Sequence, residues 1–433
     1  MIQAFGIGCT LLLLIALAIA VYKGVPILVA SPICGALCLL CNGMPVMEGM
    51  KEAYIGEAAA FFKTWFLFFL AGAILGKIME RSGAAASIAR FIIDKCGTGM
   101  AIPAVVIACG VLMMGGVSGF VVVFTLAPLS VELFRAADIP RQYILPTIAM
   151  GNAGPFMWIA GSPQVQNVLP MNLFGTTATA GFVVSIICTV FFIALSLIYL
   201  NTKLKKDRAR GLHFESRPKD VVLADEVELP SFFMSILPLI VVFGMFALLQ
   251  VDILLALVIG IVVALIISRK YLKGNVMKTL MAGADGATTN MVGVAMIVAF
   301  AGAFKSTPNF QLVVDALLDL PFPPLVSAAI AVNVLCGITA SAGGGLQVAL
   351  PVIAQPYLDL GVNAVALHRV TAISCGVLDS MPHSAWLNAT LEATQLTQKE
   401  TYKMFATICI GIAALTTVLA IVLFSVFPVL CIF

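Results

Sequence analysis

Two short stretches of this 433-residue chain gather polar side chains around a proline inside sequence that is otherwise apolar. The first is GSPQVQN, Gly161 to Asn167, with Ser162, Gln164, Gln166 and Asn167 around Pro163. The second is GVLDSMPHSAWLN, Gly376 to Asn388, with Asp379, Ser380, His383, Ser384 and Asn388 around Pro382. Uncharged hydroxyls and amides supply several donors and acceptors without a permanent countercharge, which suits a ligand carrying a hydroxyl and a carboxylate. Asp379 and His383 add titratable groups, and proton uptake by either offsets a ligand's negative charge where the dielectric is low. Asp379 is the preferred proton carrier, since burial favours the neutral form of a carboxyl while the ligand is bound.

These stretches matter because of where the chain puts them. It is 61% hydrophobic and 10% charged, with a mean hydropathy of +1.09, whereas charged residues make up about a quarter of soluble domains. Repeated apolar runs near 20 residues predict an all-α polytopic membrane protein of about 10–12 transmembrane helices, some broken or re-entrant, and exclude a β-barrel. Proline removes a donor and disfavours helix at the residue before it. Pro163 and Pro382 are therefore expected to unwind helices at mid-membrane, where irregular backbone survives only if buried in protein or lining a wet cavity. The helix N-terminus that such a break frees attracts an anion.

The pattern divides into an N-terminal helical hairpin (1–57), a first transport repeat (58–202), a linker (203–230), and a second hairpin with a second repeat (231–433). Three features recur in order. A long helix followed by a short amphipathic one, with Ile88, Phe91 and Ile92 on one face, is echoed after residue 298. CGVLMMGGVSGF from Cys109 is echoed by CGITASAGGGL from Cys336, and GSPQVQN by MPHSAWLN. Transporter folds carry such repeats, commonly as an inverted pair. Ser118, Gly119 and Gly344 fall at the flexible turns GGVSGF and SAGGGL, read as tips of re-entrant hairpins where backbone approaches a ligand closely.

Plainer readings stand beside these. GSPQVQN suits an extramembrane loop, although its counterpart in the second half argues against that. Asp379 suits a helix cap, His383 a structural histidine, and the glycines close helix packing. Asn152 and Asn333 read as interhelical hydrogen bonders, and Asp285 with Thr288, Thr289 and Asn290 as the start of a span. The basic runs KLKKDRAR (Lys203 to Arg210) and SRKYLKG (Ser268 to Gly274) flank a hairpin turning near 250–252, and the positive-inside rule places both in the cytoplasm. They do not point to nucleic acid. The 11 cysteines lie mostly in apolar runs, and the Cys38–Cys41 pair lacks the second pair or histidine of a metal or redox site. No cofactor is expected. The first residues read as a retained span rather than a signal peptide.

Three stretches resemble the gluconate permease (GntP) family of proton-coupled organic anion transporters: FFLAGAILGKIMERSGAAASIAR, GSPQVQNVLPMNLFGT and HRVTAISCGVLDSMPHSAWLNATLEATQLTQKETYK. The last two are similar to the hydroxybutyrate-permease-like branch. Where sugar-acid members carry a proline- and histidine-rich stretch, this chain has GSPQVQN, and Trp386 adds bulk beside the second proline. The resemblance implies a secondary transporter in a prokaryotic inner membrane, importing a small hydroxy monocarboxylate with a proton, and a homodimer. Sodium coupling or cation antiport is the alternative, and a membrane-embedded enzyme a remote one, because few histidines and no aspartate-rich metal site are present.

Overall fold

The computed structural model describes residues 8–9, 12–13, 15–17, 19–20, 23, 25–217, 229–272, 274–310, 312, 321–382 and 384–431. Regular structure among them is entirely helical. The first half holds α1 (Ile27–Cys41), α2 (Val46–Arg81), α3 (Ala84–Cys96), α4 (Ala101–Met114), α5 (Gly119–Ala136), α6 (Ile144–Asn152), α7 (Pro155–Trp158), α8 (Val165–Phe174) and α9 (Phe182–Ala209). The second holds α10 (Phe232–Leu248), α11 (Ile253–Ser268), α12 (Val276–Lys305), α13 (Pro324–Thr339), α14 (Ala342–Asp359), α15 (Ala364–Leu378), α16 (Ala385–Thr394) and α17 (Gln398–Val426). Among the described residues, five helices, α2, α5, α9, α12 and α17, are each long and apolar enough to cross a membrane.

Local chemistry sets several boundaries. Asp252 accepts from the Leu254 and Leu255 N–H groups and starts α11, Asn363 does the same for α15, and a Thr397–Glu400 capping box opens α17. Pro163 and Pro382 sit where helix stops: residues 159–164 separate α7 from α8, and 379–384 separate α15 from α16. Two tight helical hairpins precede these breaks, α4–α5 turning at 115–118 and α13–α14 at 340–341. Gly345 lets the second one close, because a Cβ there would lie 2.4 Å from the Cys336 Cα.

The order long helix, hairpin, broken helix, long helix thus occurs twice, as α2, α4–α5, α6–α8, α9 and as α12, α13–α14, α15–α16, α17. Packing between the copies is reciprocal. Helix α8 lies on α14 and α15 of the second copy, while α16 lies on α5 and α6 of the first, and the long helices pair like with like, α2 on α12 and α9 on α17. Reciprocity of this kind is what a pseudo-two-fold relation between repeats requires.

Several sequence expectations need correction. The boundary at 57/58 falls inside the continuous helix α2. The linker does not begin at 203, because α9 runs to Ala209: Lys203 pairs with the buried Asp207 at 3.0 Å, and that carboxylate also accepts from the Tyr143 hydroxyl at 2.9 Å. Basic residues in a last helical turn also complement the helix dipole. Asp285 sits well inside α12 rather than at its start. Asn333 donates back to Ala329 of its own helix and bridges to no other helix among the described residues. The described part of the linker crosses from the α5–α6 turn to the α16–α17 turn. Arg208 donates to the Ala137 carbonyl, His213 and the Phe214 N–H bind Asp138, and Arg217 pairs with Glu400. The His213 hydrogen bond and then the Phe214 N–H hold the Asp138 carboxyl below its ordinary range, so this joint persists at neutral pH and loosens as acid protonates the carboxylate.

Gly345→Ala is expected to destabilise the detergent-solubilised protein by about 3 kcal/mol, since backbone rather than a flexible side chain must yield. Gly286→Ala in α12, where a Cβ meets nothing within 4 Å, serves as the neutral control in the same thermal-unfolding assay.

Candidate functional site

Both breaks and both hairpin turns open onto one cavity of about 520 Å³. Among the described helices, four begin at its wall with an N-cap that lines it: α5 after Ser118, α8 after Gln164, α14 after Ser341 and α16 after Ser384. In each case the N-cap and the first residues of the helix line the cavity. At Ser118, Gln164 and Ser384 no side chain caps the first turn, and at Ser341 the hydroxyl accepts only from the Gly344 N–H. First-turn N–H groups with no intrahelical acceptor, and the positive dipole ends they carry, are thereby gathered around one space. The facing wall is apolar, from Phe68, Phe69 and Gly72 of α2 and Ala287, Gly293 and Phe300 of α12.

Asp379 is the sole charged side chain among the described lining residues. Its carboxylate accepts from the Ser380 hydroxyl at 2.8 Å, and no ion pair to it occurs among the described residues. Three lining side chains carry buried polar atoms that no described residue satisfies: both amide atoms of Gln347, Oε1 of Gln166, and Nε1 of Trp386. Buried polar groups are normally paired, so these mark where a ligand's polar groups belong.

Other polar residues hold the irregular backbone. The Gln164 amide donates to the carbonyls of Met113 (2.8 Å) and Val117 (3.1 Å), tying the first break to the first hairpin turn. Asn152 donates to Gly119 at 2.7 Å. Asn167 donates to the carbonyls of Ser162 (2.9 Å) and Ala178 (3.0 Å). Its Oδ1 accepts from the fully buried Arg369 at 3.1 Å and contacts His368 Nε2 at 3.1 Å. Arg369 also donates to the carbonyls of Ala180 and Trp158, and His368 Nδ1 meets the Thr176 hydroxyl at 2.6 Å. A cation from the second repeat thus satisfies carbonyls that the first break leaves exposed, in place of a carboxylate partner.

Of the residues expected at the site, Ser118, Gly119, Gln164, Gln166, Gly344, Asp379, Ser380 and Ser384 line the cavity together. Ser162, Asn167 and Asn388 do not. Ser162 donates to Phe156 at 2.8 Å, Asn167 is spent as above, and Asn388 donates to Ser384 at 2.9 Å. Each is engaged by backbone carbonyls in or near the breaks. Asp379 stands at the C-terminal end of α15 and does not cap α16, whose N-cap is Ser384. His383 lies outside the described residues. Sequence reasoning passed over Gln347 and Arg369. Gln347 directly follows the SAGGGL stretch, and the rarity of arginine inside apolar sequence was a usable signal for Arg369.

An all-helical membrane fold with paired breaks and hairpins around one polar-lined cavity defines a transporter-like protein. No family model matches the chain. It is 30% identical over 451 aligned residues to the uncharacterized transporter YxjC of Bacillus subtilis (strain 168), covering 92% of this chain and 95% of the relative. It is 26% identical over 368 residues to an uncharacterized transporter of Haemophilus influenzae, covering 83% and 84% of the two. Its fold is similar to the crystal structure of the YdaH transporter of Alcanivorax borkumensis, a protein of unusual topology, with a TM-score of 0.58, 16% identity, and coverage of 88% and 90%. The chain belongs to the family of membrane transporters that includes YxjC.

Asn167→Ala takes one buried partner from each of Arg369 and His368 and leaves the Ser162 and Ala178 carbonyls without its amide, and is expected to cost about 2–4 kcal/mol of stability, against about 1 kcal/mol for Ser162→Ala. In variants that still fold, substrate KM is expected to stay unchanged, as read by thermal unfolding beside uptake kinetics.

Proposed function

We propose that the protein imports a small organic monocarboxylate, a hydroxy acid, together with a proton. The observation that carries this is the convergence of four helix N-termini on a cavity whose described lining holds one charged side chain, a carboxylate. Helix ends of about half a unit charge each suit an anion. An ionised Asp379 opposes that anion, so the loaded site is favoured when Asp379 carries a proton, and this links the two fluxes. A volume of 520 Å³ lies within the range of small-molecule sites and does not separate a four-carbon from a six-carbon acid. The likeness of GSPQVQN and MPHSAWLN to the hydroxybutyrate-like branch of the gluconate permease family supports the shorter substrate.

In this reading α4 and α5 enter and leave on one face, as do α13 and α14; the 14 residues of α4 span about 21 Å, short of a hydrocarbon core of about 30 Å. The chain then crosses an odd number of times between the starts of α2 and α12, by α2, the α6–α8 pair, α9, α10 and α11. The repeats are therefore inverted. The basic end of α9 with the linker and the segment after α11 fall on one face, the cytoplasmic face of the inner membrane. Alternating access comes from moving the bundle of hairpins and broken helices against α1, α2 and α10–α12, and two copies form a dimer.

A second reading, sodium coupling, is favoured by the placement of Asp379 at the carbonyl end of α15, where an all-oxygen set suits a hard cation. Uptake of labelled 3-hydroxybutyrate, lactate and gluconate into proteoliposomes, under a pH gradient and then a Na⁺ gradient, separates the two. Accumulation driven by the pH gradient alone is the expected result. Asp379→Asn is expected to abolish that accumulation while substrate exchange remains measurable, and undiminished accumulation removes Asp379 from the coupling role.

A further inference from the structure

Gln347 lies in the second turn of α14, is 3% exposed, and has neither amide atom hydrogen-bonded among the described residues. Side chains on a helix lean toward its N-terminus. Its Nε2 accordingly stands 3.8 Å from the position a Cβ on Gly343 would take, and that position is 3.1 Å from Val165. The amide therefore sits where the N-terminus of α14 from the second repeat faces the N-terminus of α8 from the first. The nearby amides of Gln164, Asn152 and Asn167 all find backbone partners. Gln347 alone of these four is left with both amide atoms unpaired.

The two atoms specify what completes them. The nitrogen donates and the oxygen accepts. A carboxylate accepts only, so it would leave Oε1 unpaired and facing negative charge. A hydroxyl accepts from the nitrogen and donates to the oxygen, closing both, while a substrate's carboxylate already has first-turn N–H groups at hand.

We propose that Gln347 is the specificity-determining residue of the cavity: its carboxamide binds the substrate hydroxyl, and the N-termini of α8 and α14 hold the carboxylate. This rests on reading the cavity as the site of a transported hydroxy acid. An acid without the hydroxyl leaves both amide atoms buried and unpaired, and is rejected for that reason.

The test compares uptake of 3-hydroxybutyrate and butyrate by the full chain in proteoliposomes, for the unaltered protein, Gln347→Met and Gln347→Leu. The unaltered protein is expected to favour the hydroxy acid in KM by about 10- to 100-fold, and the variants by no more than about threefold, with the butyrate KM unchanged or lower. Because the amide has no hydrogen-bond partner among the described residues, both variants are expected to melt at or above the unaltered protein. Retention of the preference in Gln347→Met overturns the assignment. So does a folded variant that takes up neither acid, or a fall in melting temperature in both variants, which makes the amide structural. Failure of the unaltered protein to take up any of these acids overturns the transport reading itself, and the assignment with it.

Discussion

Hydrocarbon offers no hydrogen bonds, and this protein unwinds two helices within its apolar interior. Everything distinctive in the structure follows from satisfying the backbone that unwinding exposes. At the first break the partners are the side chains of Ser162, Gln164 and Asn167, with Arg369 reaching across from the second repeat. At the second, Asn388 and Gln398 donate to the Pro382 carbonyl at 3.3 and 2.9 Å. At the first break one support is drawn from the opposite repeat, so that break is not complete without the other half of the chain.

The two breaks share a geometry but differ in chemistry. The first contributes neutral amides, the second a carboxylate with its neighbouring serine. A pseudo-symmetric scaffold thus presents an asymmetric cavity, with uncharged donors and acceptors on one side and the sole described ionisable group on the other. In the proposed function, that division lets an anion and a compensating cation enter one space but bind different groups. Between them, the four helix N-termini supply positive potential, with no lysine or arginine among the described lining residues.

The paired polar stretches were visible in the chain because serine, glutamine and aspartate are conspicuous in sequence that is 61% hydrophobic. The breaks at Pro163 and Pro382 follow from proline's missing donor, and the hairpin turns from clustered glycines. Roles within those stretches were less legible. Ser162 and Asn167 belong to the same seven residues as Gln166, yet they turn to backbone carbonyls while Gln166 Oε1 faces the cavity unpaired. Gln166 and Asn167 are successive residues of the first turn of α8, where one step rotates a side chain by about 100°, and which of the two faces the cavity is set by how the helix packs.

Class, helical content, the order of the repeated elements and the location of the polar interruptions are written in composition and spacing, because the hydrophobic effect and backbone sterics act on neighbours along the chain. The continuation of α9 through its basic run, the burial of Arg369 and the orphaned amide of Gln347 came from the folded arrangement. Each depends on a partner, or the lack of one, that lies far away in sequence: Asp207 with Tyr143, Arg369 with Ala180, Gln347 beside Val165. Such pairings exist once the two repeats have packed, and a linear pattern carries no record of which distant carbonyl a buried donor will reach.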